Sequence, residues 1–368
     1  MSDADTVSRK TPFYRFHVEA KAKIVDFAGF LMPVQYSGMT AEHLAVRNNV
    51  GLFDLSHMGE FEVSGGDALA FLQKMTTNNV AVLSPGQIQY SCMTYPDGGI
   101  VDDLLIYRLE DRYFLVVNAS NAKKDFDWLS SHVQGDMELV DRSPELGLLA
   151  IQGPKARQVT AELTDYDLES MGYYTAATAV IAGERLLFSR TGYTGEDGFE
   201  LYIPNSVCEK VWLAVVQAGQ KYDMQLVGLG ARDSLRLEMK MALYGNDIDH
   251  TTSPIEAGLG WIVDLDKEFI GKEVVARQKA AKPNRRLVCL ELEGRAFPRH
   301  GYDICEGDEV IGNVTSGTFS PSLQKPIAMG YVARPKAKIG SSVEVAIRGR
   351  RYPAMVVKPP FYKDGSHR

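Results

Sequence analysis

The sequence predicts an α+β protein with antiparallel sheets and an all-β domain, barrel or sandwich, at its C-terminal end. Three observations lead there. Between residues of roughly 50 and 140, short apolar or alternating runs are interleaved with single amphipathic helices, which suits an antiparallel sheet. Residues 279–284 are polar and contain Pro283, as linkers between domains do. Beyond them come only β-patterned runs (287–292, 310–314, 327–332, 343–347 and 354–357), separated by glycine or proline.

A chain of 368 residues is long enough for two or three domains with their own cores. Forty basic residues against 47 acidic ones give a net charge of -7 without a basic run, which argues against nucleic acid as the main partner. Met1 to Thr6 carry acid and no apolar segment, so neither a secretory signal nor an Arg-rich transit peptide is expected. No apolar stretch is long enough to span a bilayer, so no membrane role is expected. Cys92, Cys208, Cys289 and Cys305 show no C-x-x-C spacing, and a reducing cytoplasm fits best.

In chain order, Ile24 to Val34 reads as extended chain broken by Gly29 and Pro33. Thr40 is placed to cap a short helix carrying Leu44 and Arg47. Gly51 to Val63 follows, where Phe61 and Val63 alternate with Glu60 and Glu62 as in a half-buried strand. Asp67 is placed to cap a helix with Ala68, Leu72 and Met75 on one face. Ser91 to Met93 and Ile100 to Tyr107 form a strand pair around the turn Tyr95 to Gly99, and Tyr113 to Val117 is a third strand. A helix from Ala122 carries Phe126, Leu129 and Val133 at helical spacing.

Leu146 to Gln152 is a continuous apolar run, after which Gly153-Pro154 starts a helix. Thr178 to Ile181 and Leu186 to Arg190 read as a hairpin. Val207, Val211, Val215 and Ala218 mark one helix, and another runs from about Ala231 to Met241.

The usual chemical motifs are absent. Seven histidines lie singly without ligand spacing, so no metal is expected. Thr194 to Gly198 lacks the lysine and hydroxyl of a P-loop, and there is no G-x-S-x-G elbow. What remains is Asp102-Asp103, two carboxylates at the start of an apolar strand, where neighbouring side chains point to opposite faces. One is expected to meet chemistry and the other to serve structure. The glycine-rich stretch Ser189 to Tyr202 can bring backbone close to a ligand and aim Tyr193 and Glu200 at it. Arg232 sits near a helix start, where a cation opposes the dipole, so it is expected to hold an anion. Met58 and Tyr90 taken alone read as packing residues, His57 as a satisfied structural histidine, and Arg236 and Glu238 as surface charges.

Phe53 to Met58, Gly98 to Leu104, Ser189 to Glu200, Gly228 to Asp233 and Thr315 to Pro321, in that order, together resemble the glycine cleavage T-protein family. Phe30 departs from the tryptophan common there, with little expected consequence. The resemblance implies a three-domain, cloverleaf-like arrangement. Its first domain would be discontinuous and folate-binding (1–50 plus 141–278), its second (51–140) would carry the aspartate pair, and its third would be β (285–368).

It further implies transfer of an aminomethyl-derived one-carbon unit from the lipoylated H protein of the glycine cleavage system to tetrahydrofolate, with ammonia released and 5,10-methylenetetrahydrofolate formed. The family's catalytic carboxylate falls on Asp103, expected to polarise the folate N10 side and offset charge at an iminium-like centre. Glu200 is expected to take the pterin, Arg232 the glutamyl carboxylate, and Tyr193 to stack on or hydrogen-bond the ligand. Tyr90, Met58, Asn118 and Arg368 are the other expected ligand contacts. Two readings share the scaffold: a folate-dependent demethylase, and a folate-binding iron-sulfur assembly factor. The latter ranks last because Lys267 to Glu273 holds no cysteine.

Overall fold

The computed structural model describes residues 8–367. Three sheets dominate it. The first has six strands in the order Thr175–Ile181, Glu184–Arg190, Gly198–Pro204, Leu146–Gln152, Gly51–Asp54 and Gln225–Leu226. The second has five, all antiparallel: Ile88–Thr94, Ile100–Arg108, Arg112–Val117, Gly59–Ser64 and Glu138–Asp141. The third is a closed barrel of Arg285–Leu292, Lys325–Ala333, Glu309–Ser320, Asp303–Glu306, Ser342–Ile347 and Arg350–Val357.

The apolar run Leu146–Gln152 is continuous because both its faces are covered. Leu149 and Ile151 pack with Val211, Trp212 and Val215 of the helix Cys208–Gly219. Leu148 and Ala150 face the other way, against Tyr107, Phe114 and Val116 of the second sheet. The two sheets are thereby pressed together over one apolar layer, each large side chain in it contributing about 1.5–3 kcal/mol of burial.

Several expectations change. Gly51–Asp54, grouped with the second domain by sequence, pairs instead with Leu149–Gln152 of the first sheet. All four of its residues are buried, as a strand between two others requires, whereas the alternating Gly59–Ser64 belongs to the second sheet. The helix Met39–Asn48 begins after Gly38, not at Thr40. Glu42 reaches back to accept from the backbone amides of Tyr36 (2.7 Å) and Gly38 (2.9 Å), which serves as its cap. Asp67 precedes the helix Ala68–Met75 but gives no side-chain cap; it accepts from Asp136 N at 2.8 Å. The helix Ala122–Ser130 ends before Val133. The barrel holds a further strand, Asp303–Glu306, too short and too charged to stand out by pattern.

Arg236 and Glu238, read as surface charges, are 1% and 0% exposed. They sit on the helix Leu229–Glu238 where it meets the barrel. Arg236 binds Asp247 at 2.6 Å, Asp233 at 2.7 Å and Ser316 Oγ at 2.8 Å. Glu238 accepts from Arg47 Nη2 and Ser322 Oγ, each at 2.9 Å, and from Ser320 Oγ at 2.5 Å. Burial pushes the Glu238 carboxyl up, but His43, Arg47 and Ser320 outweigh it and hold it at about 2.

Candidate active site

A cavity of about 690 Å³ opens where the first two sheets and the segment 239–261 meet. Its second-sheet wall is the hairpin of Ile88–Thr94 and Ile100–Arg108. The turn closes through Tyr95 N to Gly99 O at 2.8 Å, with Gly98 at φ 83, a conformation that favours glycine. Gly99 has no room for a side chain, since a Cβ there would collide with the His250 carbonyl oxygen.

Asp103 pairs with Cys92 across this hairpin, and Tyr90 lies two residues from Cys92 on the same face. The Tyr90 hydroxyl donates to Asp103 Oδ2 at 2.8 Å. Asn118, just past the Arg112–Val117 strand, donates from Nδ2 to Asp103 Oδ1 at 2.8 Å and to Asp102 Oδ1 at 2.9 Å. Asp103 lines the cavity, whereas Asp102 points the other way and is 0% exposed. Burial, then the Asp102 charge, push the Asp103 carboxyl up to about 7, against the lowering pull of Tyr90 and Asn118.

The first-sheet wall supplies Glu200 from the strand Gly198–Pro204. Among the described residues its one hydrogen-bond partner is the Thr191 hydroxyl, itself 2.6 Å from Ser189 Oγ. Ser189 contacts the Tyr107 hydroxyl at 3.2 Å, and Tyr107 contacts Tyr202 at 2.6 Å. This buried hydroxyl chain crosses between the strand that carries Asp103 and the strand that carries Glu200. Burial raises the Glu200 carboxyl above its ordinary value, opposed by Thr191 and Arg232.

Tyr193 and Arg232 stand together, the Arg232 guanidinium 4.6 Å from the Tyr193 ring centre. The Tyr193 hydroxyl donates to the Ala242 carbonyl, so its ring is what remains for a ligand. Burial lowers Arg232 from its ordinary value, with Tyr193 and Glu200 opposing. Arg232 makes no salt bridge among the described residues, which leaves its donors available in the cavity wall. Arg232 and Glu200 line the same cavity, and the charge of each acts on the other.

Met58 lines the cavity and also a second cleft on the other side of it. His57 beside it is buried but not satisfied: its Nδ1 has no partner among the described residues, and it packs edge-on to Phe27 at 5.5 Å. Burial, then Arg232, hold its imidazole down at about 3, so it is neutral. Arg368 lies outside the described residues.

Sequence reading passed over two residues here. Trp261 lines the cavity mouth, 71% exposed, with its ring 5.8 Å from that of Tyr90. Asp125 lies behind Asp102, fully buried. Its position four residues before Leu129 on one helical stripe was the available signal.

A carboxylate poised near neutrality and an unpaired guanidinium, set in one open-mouthed and largely apolar cavity, define a small-molecule enzyme site. Residues 13–267 match the family described as GCVT N-terminal domain, and residues 285–363 the glycine cleavage T-protein C-terminal barrel domain. The chain belongs to the glycine cleavage T-protein family, and it is an enzyme of the aminomethyltransferase class. It is similar to the aminomethyltransferases of Bacteroides thetaiotaomicron (51% identical, 96% of this chain and 100% of that protein) and Chloroherpeton thalassium (54%, 95% and 98%). The crystal structure of glycine cleavage system aminomethyltransferase T from Bartonella henselae superposes with a TM-score of 0.91 at 35% identity, covering 98% of this chain and 99% of that one. The three-part sheet, sheet and barrel architecture expected from the sequence is thus the family's.

Proposed function

We propose that this enzyme transfers the one-carbon unit of an aminomethyl group, carried on the lipoyl arm of the glycine cleavage H protein, to tetrahydrofolate. The carbon leaves sulfur and nitrogen and becomes the methylene bridge of 5,10-methylenetetrahydrofolate. The two protons lost from the folate nitrogens end on the departing ammonia and on the arm's thiol, so the step needs no oxidant.

The observation that carries this reading is the position of Asp103, fixed by Tyr90 and Asn118 in the cavity that also holds Glu200 and Arg232. A cavity of about 690 Å³ is of the size that encloses a folate-sized ligand. Glu200 accepts two N–H groups from the amino-pyrimidinone edge, and Arg232 pairs with the carboxylate of the glutamyl tail. The Tyr193 ring, held by Ala242 and faced by Arg232, forms the platform for the flat head. Asp103, ionised, orients the N10 side and offsets positive charge as it develops at the migrating carbon.

Among the described residues no helix is long and apolar enough to cross a membrane, and the four cysteines are unpaired and buried. The free cysteines support a cytoplasmic setting. The test is to mix the protein with aminomethyl-loaded H protein and tetrahydrofolate and follow ammonia and methylenetetrahydrofolate together. Both are expected in equal amounts. Their absence, with a methyl group passed from methylated amines or sulfonium compounds to tetrahydrofolate to give 5-methyltetrahydrofolate instead, would replace this reading with the demethylase one.

A further inference from the structure

Asp125, in the first turn of the helix Ala122–Ser130, is 0% exposed, and neither carboxyl oxygen has a hydrogen-bond partner among the described residues. A bare carboxylate so placed is costly. The nearby cation does not satisfy it: Lys124 Nζ is 3.7 Å from Asp125 Oδ1, donates to the Val101 carbonyl, and lies 4.2 Å from the Tyr244 ring centre.

Asp102 stands beside it and is the opposite case. It accepts from Asn118 N at 3.1 Å, Asn118 Nδ2 at 2.9 Å and Asn121 Nδ2 at 2.7 Å. The two carboxyls adjoin: Asn121, one helical turn before Asp125, donates to Asp102, and Lys124, next to Asp125 in the chain, donates to the carbonyl of Val101, next to Asp102. Adjacent buried carboxylates do not both ionise. Three N–H donors favour the charge on Asp102, and none favours it on Asp125. The proton therefore belongs to Asp125, whose O–H then donates to Asp102. The helix N-terminus pulls the other way, yet its dipole effect is small beside a neighbouring like charge.

We propose that Asp125 and Asp102 share one proton, and that Asp125 is thereby a positioning residue for Asp103. The pair is held to a single negative charge and a single geometry. Asn118 Nδ2 bridges from Asp102 to Asp103 and so transmits that geometry to the carboxylate in the cavity. The groups facing Asp125 are Asp102, Asp103, Lys124, Tyr95 and Tyr244. Those facing Asp103 are Asp102, Asp125, Tyr90, Tyr193, Tyr174 and Cys92. None of them supplies Asp125 with a donor.

The positioning role rests on the transferase reading; the shared proton does not, and the two are tested separately. Infrared spectra of the whole protein are expected to show a protonated-carboxyl band that persists at about pH 8, far above the ordinary carboxyl range. Glu60, also buried and with its carboxyl pushed well up, adds to that absorption, so the band is read as the difference between wild type and Asp125→Asn. In the transferase assay, Asp125→Ala is expected to lower kcat about tenfold with little change in the KM for tetrahydrofolate, a loss of positioning rather than of binding. Its acid limb should move to higher pH, because Asp102 then presents its full charge to Asp103. Asp125→Asn, whose amide donates to Asp102 as the protonated acid does, should recover most of kcat and the profile. If the alanine variant does not fold, the band and the asparagine variant's profile carry the test. A difference spectrum without the band at that pH overturns the shared proton. Equal damage by alanine and asparagine overturns the positioning role. A wild type with the band but no product refutes the transferase reading alone.

Discussion

The Tyr90 hydroxyl donates to Asp103 Oδ2 at 2.8 Å across the hairpin, joining the two residues on one face of the sheet. The bond favours the ionised carboxylate. It pulls Asp103 down against burial and the Asp102 charge, which together leave it at about 7. Tyr90→Phe removes that pull and keeps the ring. The acid limb of kcat/KM, reporting Asp103 in the free enzyme, is expected near pH 7 in the wild type and roughly one unit higher in the variant, the size of one charge-assisted hydrogen bond. A profile unmoved by Tyr90→Phe would mean that another group controls the limb.

Asp103→Asn should lower kcat by on the order of 10²–10⁴ while tetrahydrofolate affinity changes little, as for loss of a group that acts on developing charge. Equal losses in both would show Asp103 to be a binding residue. Stability gives an independent reading with a definite sign. The folded-state pKa lies above the ordinary 3.8, so the folded protein binds the extra proton and its stability falls as pH rises from about 4 to about 7. Asparagine escapes that loss. Melting temperatures at about pH 5 and pH 8 should therefore fall less for Asp103→Asn than for wild type.

Period and punctuation made the sheets legible. The uninterrupted Leu146–Gln152 run required cover on both faces, and the helix Cys208–Gly219 and the second sheet provide it. The split of Asp102 from Asp103 follows from strand alternation alone, and the structure has one in the cavity wall and the other behind it. What stayed hidden depends on partners distant in sequence. Arg236 and Glu238 look like helix-surface charges until the barrel, some 80 residues later, brings Ser316 and Ser320 against them. Gly51–Asp54 joined the wrong sheet in the sequence reading because four residues carry no register information. Asp125 was overlooked because a single acid in a helix is ordinarily solvated.

Arg47 and Glu238 form a buried pair at 2.9 Å between the helix Met39–Asn48 and the helix that abuts the barrel, with Glu196 2.8 Å from the same guanidinium. Arg47→Met leaves two buried carboxylates without their cation and should cost about 3–5 kcal/mol. The cost has a pH signature. Glu238 is held at about 2, so its contribution is complete above the ordinary glutamate range and is lost as pH falls from about 4.5 toward 2. The gap in melting temperature between Arg47→Met and wild type should therefore narrow on acidification through that window. A gap independent of pH would assign the loss to packing around the arginine stem.

Trp261 should report ligand entry directly. Of the three tryptophans, Trp212 is 3% exposed inside the first-sheet core, and Trp128 is partly buried against Tyr95 and His132. Trp261 alone is 71% exposed, at the cavity mouth and beside the tyrosine that holds Asp103. A folate in the cavity would remove water from one face of that indole, and a docked lipoyl arm would cover more of it. Tetrahydrofolate is expected to change the tryptophan emission saturably, and Trp261→Phe should abolish most of the change while keeping the aromatic contact to Tyr90. Loss of the signal with turnover within about threefold would make Trp261 a bystander at the mouth, whereas a rise in KM for the H protein alone would make it part of the docking surface, a contact of the kind that exposed tryptophans supply at interfaces. An emission change that survives Trp261→Phe would place the ligand somewhere other than this cavity.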